Sequence, residues 1–274
     1  MTTPLLEVED LRVTFPTPTG PFHAVRGVSF TLGRERLGIV GESGSGKSLT
    51  GRSLLRLLPA HAQLEAKRLR FDGQDLLTAS PREMRALRGK RMSLVLQDPK
   101  YSLNPVMRVG EQIAEAVRDR GDPKRRALEM LEAVRIRDPE RVYRLYPHEV
   151  SGGMGQRIMI AMMLAPEPDL LIADEPTSAL DVTVQMQVLA ILDDLVTQRG
   201  MGLIFISHDL NLVASFCDRI LVMYAGRIVE ECRASELHAA THPYTRGLLA
   251  SLPRIEESRA ELAVLTRDPA WLTA

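Results

Sequence analysis

The residues Gly41-Glu42-Ser43-Gly44-Ser45-Gly46-Lys47-Ser48 match the phosphate-binding pattern G-x-x-x-x-G-K-[ST] without a mismatch. Glycines let backbone N–H groups turn inward around an anion, and the N-terminus of a following helix adds further donors. In such a loop Lys47 would reach the outer phosphates of a nucleotide, and the Ser48 hydroxyl would bind Mg²⁺. Leu49, which begins the expected helix, completes the predicted contacts. The alternative is an ordinary glycine-rich turn, which the complete pattern disfavours.

Asp174 and Glu175 follow an apolar run at 170–173 that predicts a buried strand. A carboxylate at this position lies beside the phosphate loop in sheets of this kind, where Asp174 can bind Mg²⁺, often through water. Glu175 points elsewhere and can polarise a water molecule for in-line attack on the γ-phosphate. The alternative is that both acids only begin a helix and interact with its dipole. The phosphate loop upstream favours the catalytic interpretation.

Ser151, Gly152 and Gly153 precede a predicted helix over residues 156–164. A serine and paired glycines at the start of a helix can form an anion-binding nest of backbone N–H groups. The alternative is a plain N-cap, in which the Ser151 hydroxyl satisfies one amide of the helix. Both interpretations place these residues at the same helix terminus.

The elements that must hold these motifs alternate between strands and helices. The phosphate loop lies between an apolar run at 37–40, typical of a buried strand, and a helical pattern at 49–58. Further predicted strands cover 5–15, 28–32, 69–71, 93–96, 170–173, 203–206 and 220–223, and further predicted helices cover 156–164, 182–199 and 210–216. Apolar residues at helical spacing predict a helical insert from 109 to about 145. This order predicts an α/β fold with a mostly parallel sheet that binds ligands at the carboxyl ends of its strands.

The composition narrows the classes of function. The 274 residues are 45% hydrophobic and 26% charged, which is ordinary for a globular protein. Lys+Arg and Asp+Glu are both 35, so the zero net charge predicts no global attraction to nucleic acid. No apolar run approaches the roughly 18 residues that span a bilayer, and no signal pattern begins the chain. The two cysteines lie outside any metal-like spacing, which fits a reducing cytoplasm.

The motifs Ser-Gly-Gly-x-x-Gln-Arg at 151–157 and Asp-Glu-Pro-Thr at 174–177, downstream of the phosphate loop, resemble those of ATP-binding cassette (ABC) ATPases. The resemblance extends from Leu5 to about Pro253. It implies a RecA-like P-loop core with a mixed or parallel sheet, an N-terminal antiparallel β part and a helical insert. It also implies ATP and Mg²⁺ as cofactors. We expect a catalytic core of residues 1–98 and 155–235, a helical subdomain of residues 99–154 and a C-terminal tail of residues 236–274.

Four further residues take expected roles from this resemblance. Gln97 matches the Q-loop glutamine, which senses Mg²⁺ and links the core to the helical insert. Asp181 matches the D-loop, which crosses the dimer interface, and His208 matches the switch histidine, which contacts the γ-phosphate. Phe15 matches the aromatic residue that stacks on adenine. Phe22 lies nearby, and either ring is also compatible with a core position.

The resemblance implies a dimer in which residues 151–153 of one chain close over ATP held by the phosphate loop of the other. Closure would supply donors to the γ-phosphate and exclude water. ATP would then join two subunits, and hydrolysis would release them. The expected catalytic residues are Glu175, His208 and Lys47, and the expected Mg²⁺ ligands are Ser48, Gln97 and Asp174.

Three segments, at 97–105, 146–151 and 242–249, resemble those of oligopeptide, dipeptide and nickel importers. Each is also compatible with a capped turn rich in Pro and Asn. The subgroup implies ATP hydrolysis that drives import through two separate membrane permease subunits. A groove in the helical insert, at about 99–149, would hold a permease coupling helix. The resemblance also implies a paralogous ATPase partner (a homodimer is the alternative), an extracytoplasmic substrate-binding protein, and a peripheral position on the cytoplasmic face of the inner membrane.

The cargo stays open at this point. Many peptide-importing relatives have a longer C-terminal extension with a cysteine cluster, whereas this chain ends at Ala274 without one, which favours a nickel or metal-chelate cargo. The competing function is a non-transport ABC ATPase that acts on nucleic acid or the ribosome, but no insertion typical of that class is visible. A binding module without hydrolysis is disfavoured by Glu175 and His208. Trp271, the single tryptophan, is expected to dock on the body of the protein or on a partner, and the body is favoured.

Overall fold

The computed structural model describes residues 3–119, 121–178, 180–251 and 271. The chain forms two compact units, of which the first comprises Met1–Leu77 and Phe205–Ala274 and the second comprises Thr78–Ile204. The second boundary falls inside the strand Gly202–Ser207, so this strand contributes to both units. Throughout the described part of the chain, the helices lack the combination of length and hydropathy that crossing a bilayer requires.

The strands and helices alternate along the chain as the sequence predicts. In chain order they are β1 (Leu6–Thr17), β2 (Gly20–Leu32), β3 (Arg36–Val40), α1 (Lys47–Leu54), β4 (Gln63–Glu65), β5 (Arg68–Phe71), β6 (Gln74–Asp75), α2 (Pro81–Leu87), β7 (Met92–Val95), α3 (Val109–Ala116), α4 (Pro123–Ala133), α5 (Pro139–Tyr143), α6 (Gly152–Leu164), β8 (Leu170–Asp174), α7 (Val182–Arg199), β9 (Gly202–Ser207), α8 (Leu210–Phe216), β10 (Arg219–Tyr224), β11 (Arg227–Arg233) and α9 (Pro243–Ser251). Short 3₁₀ turns occupy Pro99–Tyr101, Pro147–Glu149 and Ala234–Ala239.

The first unit contains the predicted N-terminal antiparallel sheet. Its strand order is β2-β1-β5-β6, and β4 also pairs with β1. The long hairpin of β1 and β2 places Phe15 opposite Phe22. One face of β1 is apolar and buried; its members are Leu6, Val8, Leu11 and Val13. The period of two holds within each pair, and an irregularity in the strand at Asp10, which has a φ of 52°, adds one residue between Val8 and Leu11. This sheet confirms the antiparallel β part of the predicted fold.

The strand β3 leads into the phosphate loop from a second sheet of the first unit. β3 pairs in parallel with β10, and β10 pairs antiparallel with β11. Every residue of β3 after Arg36 is buried, which explains its continuous apolar sequence. Arg36 donates its backbone N–H to Asp218 Oδ2 at 2.8 Å and its Nη2 to Oδ1 at 3.0 Å. Burial would raise the pKa of Asp218, but these hydrogen bonds and the Arg36 charge outweigh it and hold that pKa below its ordinary value.

The second unit combines a parallel strand pair with a group of helices. β7 and β8 run parallel, with Val95 opposite Ala173, and all of β8 is buried. Five of its helices, α2, α4, α5, α6 and α7, begin at a side-chain cap, because a short polar side chain can accept a hydrogen bond from the first amides of a helix. The N-caps with such a bond are Ser80, Asp122, Asp138, Ser151 and Asp181. Proline follows the cap in α2, α4 and α5, where its missing N–H costs nothing.

The predicted helical insert consists of three separate helices, α3, α4 and α5. The helix after the phosphate loop is shorter than the predicted 49–58, because α1 ends at Leu54. Arg56 has a φ of 51°, and Pro59 disfavours helical backbone at the residue before it. Leu55 is nevertheless buried, so its apolar character reflects packing of the turn rather than a longer helix. The short strands β4 and β6 and the helices α2 and α9 were not predicted.

The compact units and the predicted domains divide the chain at different positions. The units change after Leu77 and Ile204, whereas the predicted domains change after residues 98, 154 and 235. The predicted domains are bounded by motifs rather than by the edges of compact units, so the catalytic core, the helical subdomain and the tail stay predictions.

Candidate nucleotide-binding site

The predicted phosphate loop connects β3 to α1 within the first unit. Gly41, Gly44 and Gly46 have φ angles of 150°, 82° and 99°, a region that L side chains rarely adopt. Gly46 is the N-cap of α1, and among the described residues no side chain caps this terminus. The loop therefore has the local geometry in which backbone N–H groups at a helix start can bind an anion.

Two of these glycines are also required by close packing. A Cβ atom on Gly41 would lie 2.1 Å from the carbonyl oxygen of Met223, and one on Gly46 would lie 2.7 Å from that of Ala24. A Cβ atom on Gly44 would meet nothing within 4 Å. The two ends of the loop are thus fixed by backbone contacts, whereas Gly44 is constrained by its φ angle.

Lys47 is buried inside the loop that it belongs to. Its side chain is only 5% exposed, and Nζ donates to the carbonyl oxygens of Gly41 at 2.7 Å and Glu42 at 2.8 Å. A buried ammonium needs such partners because removal from water is costly. The loop carbonyls therefore hold the positive charge in place at the start of α1.

The aromatic candidate for adenine stacking, Phe15, is half-buried near the end of β1. Its ring centroid lies 5.6 Å from that of His61, at an interplanar angle of 59°. Phe22, its neighbour on β2, is 60% exposed and is therefore not a core aromatic. The predicted switch histidine, His208, follows β9 and is exposed, immediately before Asp209, which caps α8.

In the second unit, Gln97 and Asp174 lie at the same edge of the parallel strand pair. Asp174 is the last residue of β8 and is 4% exposed, and Gln97 follows the end of β7. The pairing of Val95 with Ala173 brings the carboxyl ends of these strands together. The two side chains expected to bind Mg²⁺ from this unit therefore occupy neighbouring positions where ligands of parallel sheets bind.

Glu175 has an unusual backbone conformation. Its φ of 50° is in the left-handed region, and its carbonyl oxygen accepts hydrogen bonds from Ser178 N at 3.4 Å and Ser178 Oγ at 3.3 Å. For a residue with a Cβ atom this conformation costs about 1–2 kcal/mol. Strain of this kind is concentrated at functional sites, where it fixes the direction of a side chain.

Ser151 and the glycines after it begin α6 at the protein surface. The Ser151 Oγ accepts a hydrogen bond from Met154 N at 3.3 Å, which is the plain N-cap of the alternative interpretation. Ser151 and Gly152 are exposed, and a Cβ atom on Gly152 would meet nothing within 4 Å. The cap occupies the serine hydroxyl, while the predicted anion nest depends on backbone N–H groups, so its role stays a prediction.

Gly153 and Asp181 meet at the same residue of α7. A Cβ atom on Gly153 would lie 2.8 Å from Val184 Cγ1, and Asp181 Oδ1 accepts a hydrogen bond from Val184 N at 3.0 Å. Gly153 therefore allows the start of α6 to approach the start of α7. This contact joins the predicted signature motif to the predicted D-loop within one unit.

The predicted site residues form two sets, one in each unit. The first set contains Phe15, residues 41–49 and His208, and the second contains Gln97, Ser151, Gly152, Gly153, Asp174, Glu175 and Asp181. The first set offers amides and a lysine suited to a polyphosphate, and the second offers acids and an amide suited to a metal ion and a water molecule. Sequence reasoning missed Tyr244, whose hydroxyl accepts a hydrogen bond from Glu42 N at 2.9 Å. The one sequence feature that included Tyr244 was the segment 242–249, which resembled a segment of peptide and nickel importers but gave no indication of a contact with the phosphate loop.

Comparison with known proteins agrees with the motifs. The ABC transporter family model matches residues 25–178. The probable peptide ABC transporter ATP-binding protein y4tR of Sinorhizobium fredii is 52% identical and covers 91% of this chain and 77% of its own length. The oligopeptide transport ATP-binding protein OppD of Bacillus subtilis is 48% identical, with 99% and 78% covered.

A solved structure of the ATP-binding cassette MJ0796, a dimer in a post-hydrolysis state bound to ADP and Pi, has the same fold. It superimposes with a TM-score of 0.73 at 25% identity and covers 84% of this chain and 98% of that one. The family match and the identities confirm both the predicted family and the predicted α/β architecture. The chain belongs to the ABC transporter family and is an ATP-binding ATPase of that family.

Proposed function

We propose that this chain hydrolyses ATP to drive the import of peptides through a separate membrane permease. The observation that carries the proposal is its identity of 52% and 48%, over nearly the whole chain, to ATP-binding proteins named for peptide and oligopeptide transport. The expectation of a nickel cargo rested on where the chain ends, and it stays a prediction. Cargo selection would belong to an extracytoplasmic binding protein and two permease subunits.

Lys47 and the loop glycines would bind the phosphates of ATP. The support is the burial of Lys47 between the carbonyl oxygens of Gly41 and Glu42, which holds its charge at the start of α1. Phe15 would stack on the adenine, since its ring is half-buried while Phe22 is largely exposed. His208 would contact the γ-phosphate from the end of β9.

Ser48, Asp174 and Gln97 would hold Mg²⁺. A hydroxyl, a carboxylate and an amide oxygen are the hard oxygen donors that this ion prefers, so the residues fit it. When bound, the ion would neutralise charge that develops on the phosphates. Asp174 is buried at the end of β8, where its position is set by a strand rather than a flexible loop.

Glu175 would be the general base that orients and deprotonates the attacking water. Its left-handed φ of 50° turns the side chain away from the direction that a continued strand would give it. In this proposal it acts from a different direction than Asp174, although the two are adjacent in sequence. This division of roles suits a site that must hold a metal ion and a water molecule at once.

A second ATPase subunit would complete the site. Ser151 and Gly152 are exposed at the start of α6, so they are accessible to a nucleotide held by a partner chain. The dimeric state of the MJ0796 cassette supports this arrangement. A paralogous partner is favoured by the subgroup resemblance, with a homodimer as the alternative.

The helical insert would bind the permease on the cytoplasmic face of the inner membrane. Residues that flank the insert on either side line a cavity of about 380 Å³, which also borders Ser151 and Gly152 at the start of α6. Its apolar members include Pro99, Leu103 and Val150, and its charged members include Asp98 and Lys100. An apolar groove of this size fits part of one face of an amphipathic helix, which is how a coupling helix would bind.

The substitution Glu175→Gln tests the catalytic assignment. We expect the variant to bind ATP normally but to hydrolyse it about 10²- to 10⁴-fold more slowly, because the amide cannot accept the proton from water. A coupled phosphate-release assay and titration with a fluorescent ATP analogue measure the two quantities. Hydrolysis at the rate of the unsubstituted protein would show that Glu175 is not the base.

The matched control is Glu167→Gln in the same unit. Glu167 also has a left-handed φ, of 56°, but it forms an ion pair with Arg126 and lies outside every motif. We expect this control to retain full ATPase activity.

In cells that lack the native gene, the unsubstituted chain should restore uptake of a labelled peptide, and Glu175→Gln should not. Restored nickel uptake without peptide uptake would contradict the proposed cargo.

A further inference from the structure

The helix α9 lies against the phosphate loop inside the first unit. Tyr244, near its start, is fully buried, and its ring centroid lies 4.5 Å from that of Tyr224 at the end of β10. Trp271 docks on the same pair, with ring centroids 5.8 Å from Tyr224 and 5.9 Å from Tyr244. The expectation that Trp271 docks on the body is therefore confirmed, and its site is this three-ring cluster.

The hydroxyl of Tyr244 holds one peptide group of the phosphate loop. The backbone N–H of Glu42 donates to this hydroxyl at 2.9 Å. The carbonyl oxygen of this same peptide group is that of Gly41, and it accepts a hydrogen bond from Lys47 Nζ at 2.7 Å. The next carbonyl oxygen along the chain, that of Glu42, accepts hydrogen bonds from Lys47 Nζ at 2.8 Å and from Ser45 N at 3.2 Å. A chain of contacts thus runs from α9, through the Gly41–Glu42 peptide group, to the lysine ammonium.

The start of α9 is anchored independently to β11. Glu230 Oε1 accepts hydrogen bonds from Thr241 N at 2.6 Å, Thr241 Oγ1 at 3.2 Å and His242 N at 3.3 Å. Burial would raise the pKa of Glu230, but hydrogen bonds from its neighbours outweigh it and lower that pKa, so the carboxylate stays charged at neutral pH. This anchor fixes the position from which Tyr244 reaches the loop.

A second contact ties the same region to the loop. Gly226 N donates to the carbonyl oxygen of Ser45 at 3.0 Å. Tyr224 and Ala225 line a small cavity of about 190 Å³ together with residues 42–45 of the loop. The aromatic cluster and the turn after β10 therefore form a support behind the phosphate-binding residues.

We propose that Tyr244 is a positioning residue that sets the affinity of the phosphate loop for nucleotide. It acts through the Gly41–Glu42 peptide group, whose carbonyl oxygen in turn holds Lys47, and it does not itself contact the phosphates. This inference rests on the proposed nucleotide site at residues 41–48. It gives a role to the segment 242–249, which the proposed function leaves without one.

The substitution Tyr244→Phe tests the proposal because it removes only the hydroxyl and keeps the ring against Tyr224 and Trp271. We expect the KM for ATP and the Kd for ADP to rise about 3- to 10-fold, which is the loss expected for one hydrogen bond. The kcat at saturating ATP should stay within about 2-fold, since no catalytic group moves once nucleotide fills the loop. A purely structural role would lower thermal stability without this separation of KM from kcat.

The control Tyr143→Phe makes the same chemical change in the second unit, where the tyrosine packs against Gly110. It should leave KM unchanged. Lys47→Ala distinguishes a failure of the proposed nucleotide site from a failure of the role given to Tyr244. If Lys47→Ala retains nucleotide affinity, the proposed site itself is wrong. If Lys47→Ala loses affinity while Tyr244→Phe keeps the KM and Kd of the unsubstituted protein, only the role of Tyr244 is overturned.

The single tryptophan gives a second measurement that needs no substitution at Tyr244. Nucleotide binding should change the fluorescence of Trp271, because its ring contacts the residue that holds the loop. The change should saturate with the same Kd as a direct binding assay and be absent in Lys47→Ala. Saturating nucleotide that leaves Trp271 emission unaltered would contradict the proposed connection.

Discussion

The phosphate loop and the start of α6 are both glycine-containing turns before a helix, but the first is tightly packed and the second is exposed. In the loop, added Cβ atoms on Gly41 and Gly46 would collide with backbone carbonyl oxygens, and Lys47 is buried. At α6, Ser151 is exposed and already caps its own helix, and Gly152 faces open space. The first turn is fixed by its own chain, whereas the second is a free surface.

This difference separates two requirements for binding the same ligand. A loop that holds a nucleotide must be formed before the nucleotide arrives, because ordering it afterwards would reduce affinity. A surface that closes over a nucleotide held elsewhere must stay accessible until the partner docks. Substitutions of glycine should therefore damage the loop through folding and the start of α6 through catalysis.

The largest effect is expected for Gly41→Ala. A Cβ atom 2.1 Å from the Met223 oxygen, at a φ of 150°, must displace backbone. We expect the free energy of unfolding to fall by about 3 kcal/mol and nucleotide binding to be lost. Gly44→Ala, at a φ of 82° with no atom within 4 Å, should cost only about 1–2 kcal/mol. Urea unfolding and nucleotide titration test both variants. Equal losses of unfolding free energy in Gly41→Ala and Gly44→Ala would show that the close contact of Gly41 with Met223 has no effect on stability.

A smaller structural effect and a specific functional one are expected for Gly152→Ala. The position is the first residue of α6 and has open space around it, so stability should change by less than about 0.5 kcal/mol. ATP binding should be retained, while ATPase activity falls at least about tenfold because the methyl group blocks close approach of the partner's nucleotide. Gly153→Ala, which meets Val184 Cγ1 at 2.8 Å, should lower stability as well. Full activity of Gly152→Ala would exclude this surface from the site.

The smallest effect is expected when acid destabilises β3, the strand that leads to the phosphate loop. The folded pKa of Asp218 is lowered beside Arg36, so this pair stabilises the fold above the ordinary aspartate pKa, and the contribution is lost as pH falls through the lowered value. Because the Asp218 side chain is 47% exposed, we expect less than about 1 kcal/mol. Hydrogen exchange should show β3 losing protection below about pH 4 before α6 does. Asp218→Asn should remove that difference between β3 and α6. If β3 lost protection at the same pH in the unsubstituted protein and in Asp218→Asn, the proposed contribution of Asp218 would be refuted.

Much of the first unit's site was predictable because its signal is local. The pattern at 41–48 fixes residue type, backbone conformation and neighbouring elements within one short segment. In the second unit, the helix over Val182–Arg199 was likewise predicted with its observed bounds, since Asp181 caps it and Gly200 ends it with a φ of 57°. Such local rules do not require knowledge of the rest of the fold.

Contacts between distant segments were not predictable from one sequence. The hydrogen bond between Glu42 and Tyr244 joins residues 202 positions apart, and no periodicity or cap marks it. The end of α1 was also misplaced, because Leu55 is buried by tertiary packing rather than by helix continuation. The roles of Ser151 and Gly152 depend on a second chain and therefore stay predictions.

The left-handed backbone at Glu175 has a consequence for substitutions at this position. Glutamine would bear about the same conformational penalty there, so changing the acid to glutamine removes the proposed base without relieving strain. Glycine would relax the backbone, but it carries no carboxylate. A substitution by glycine that relieved the strain of this turn would therefore abolish the proposed base.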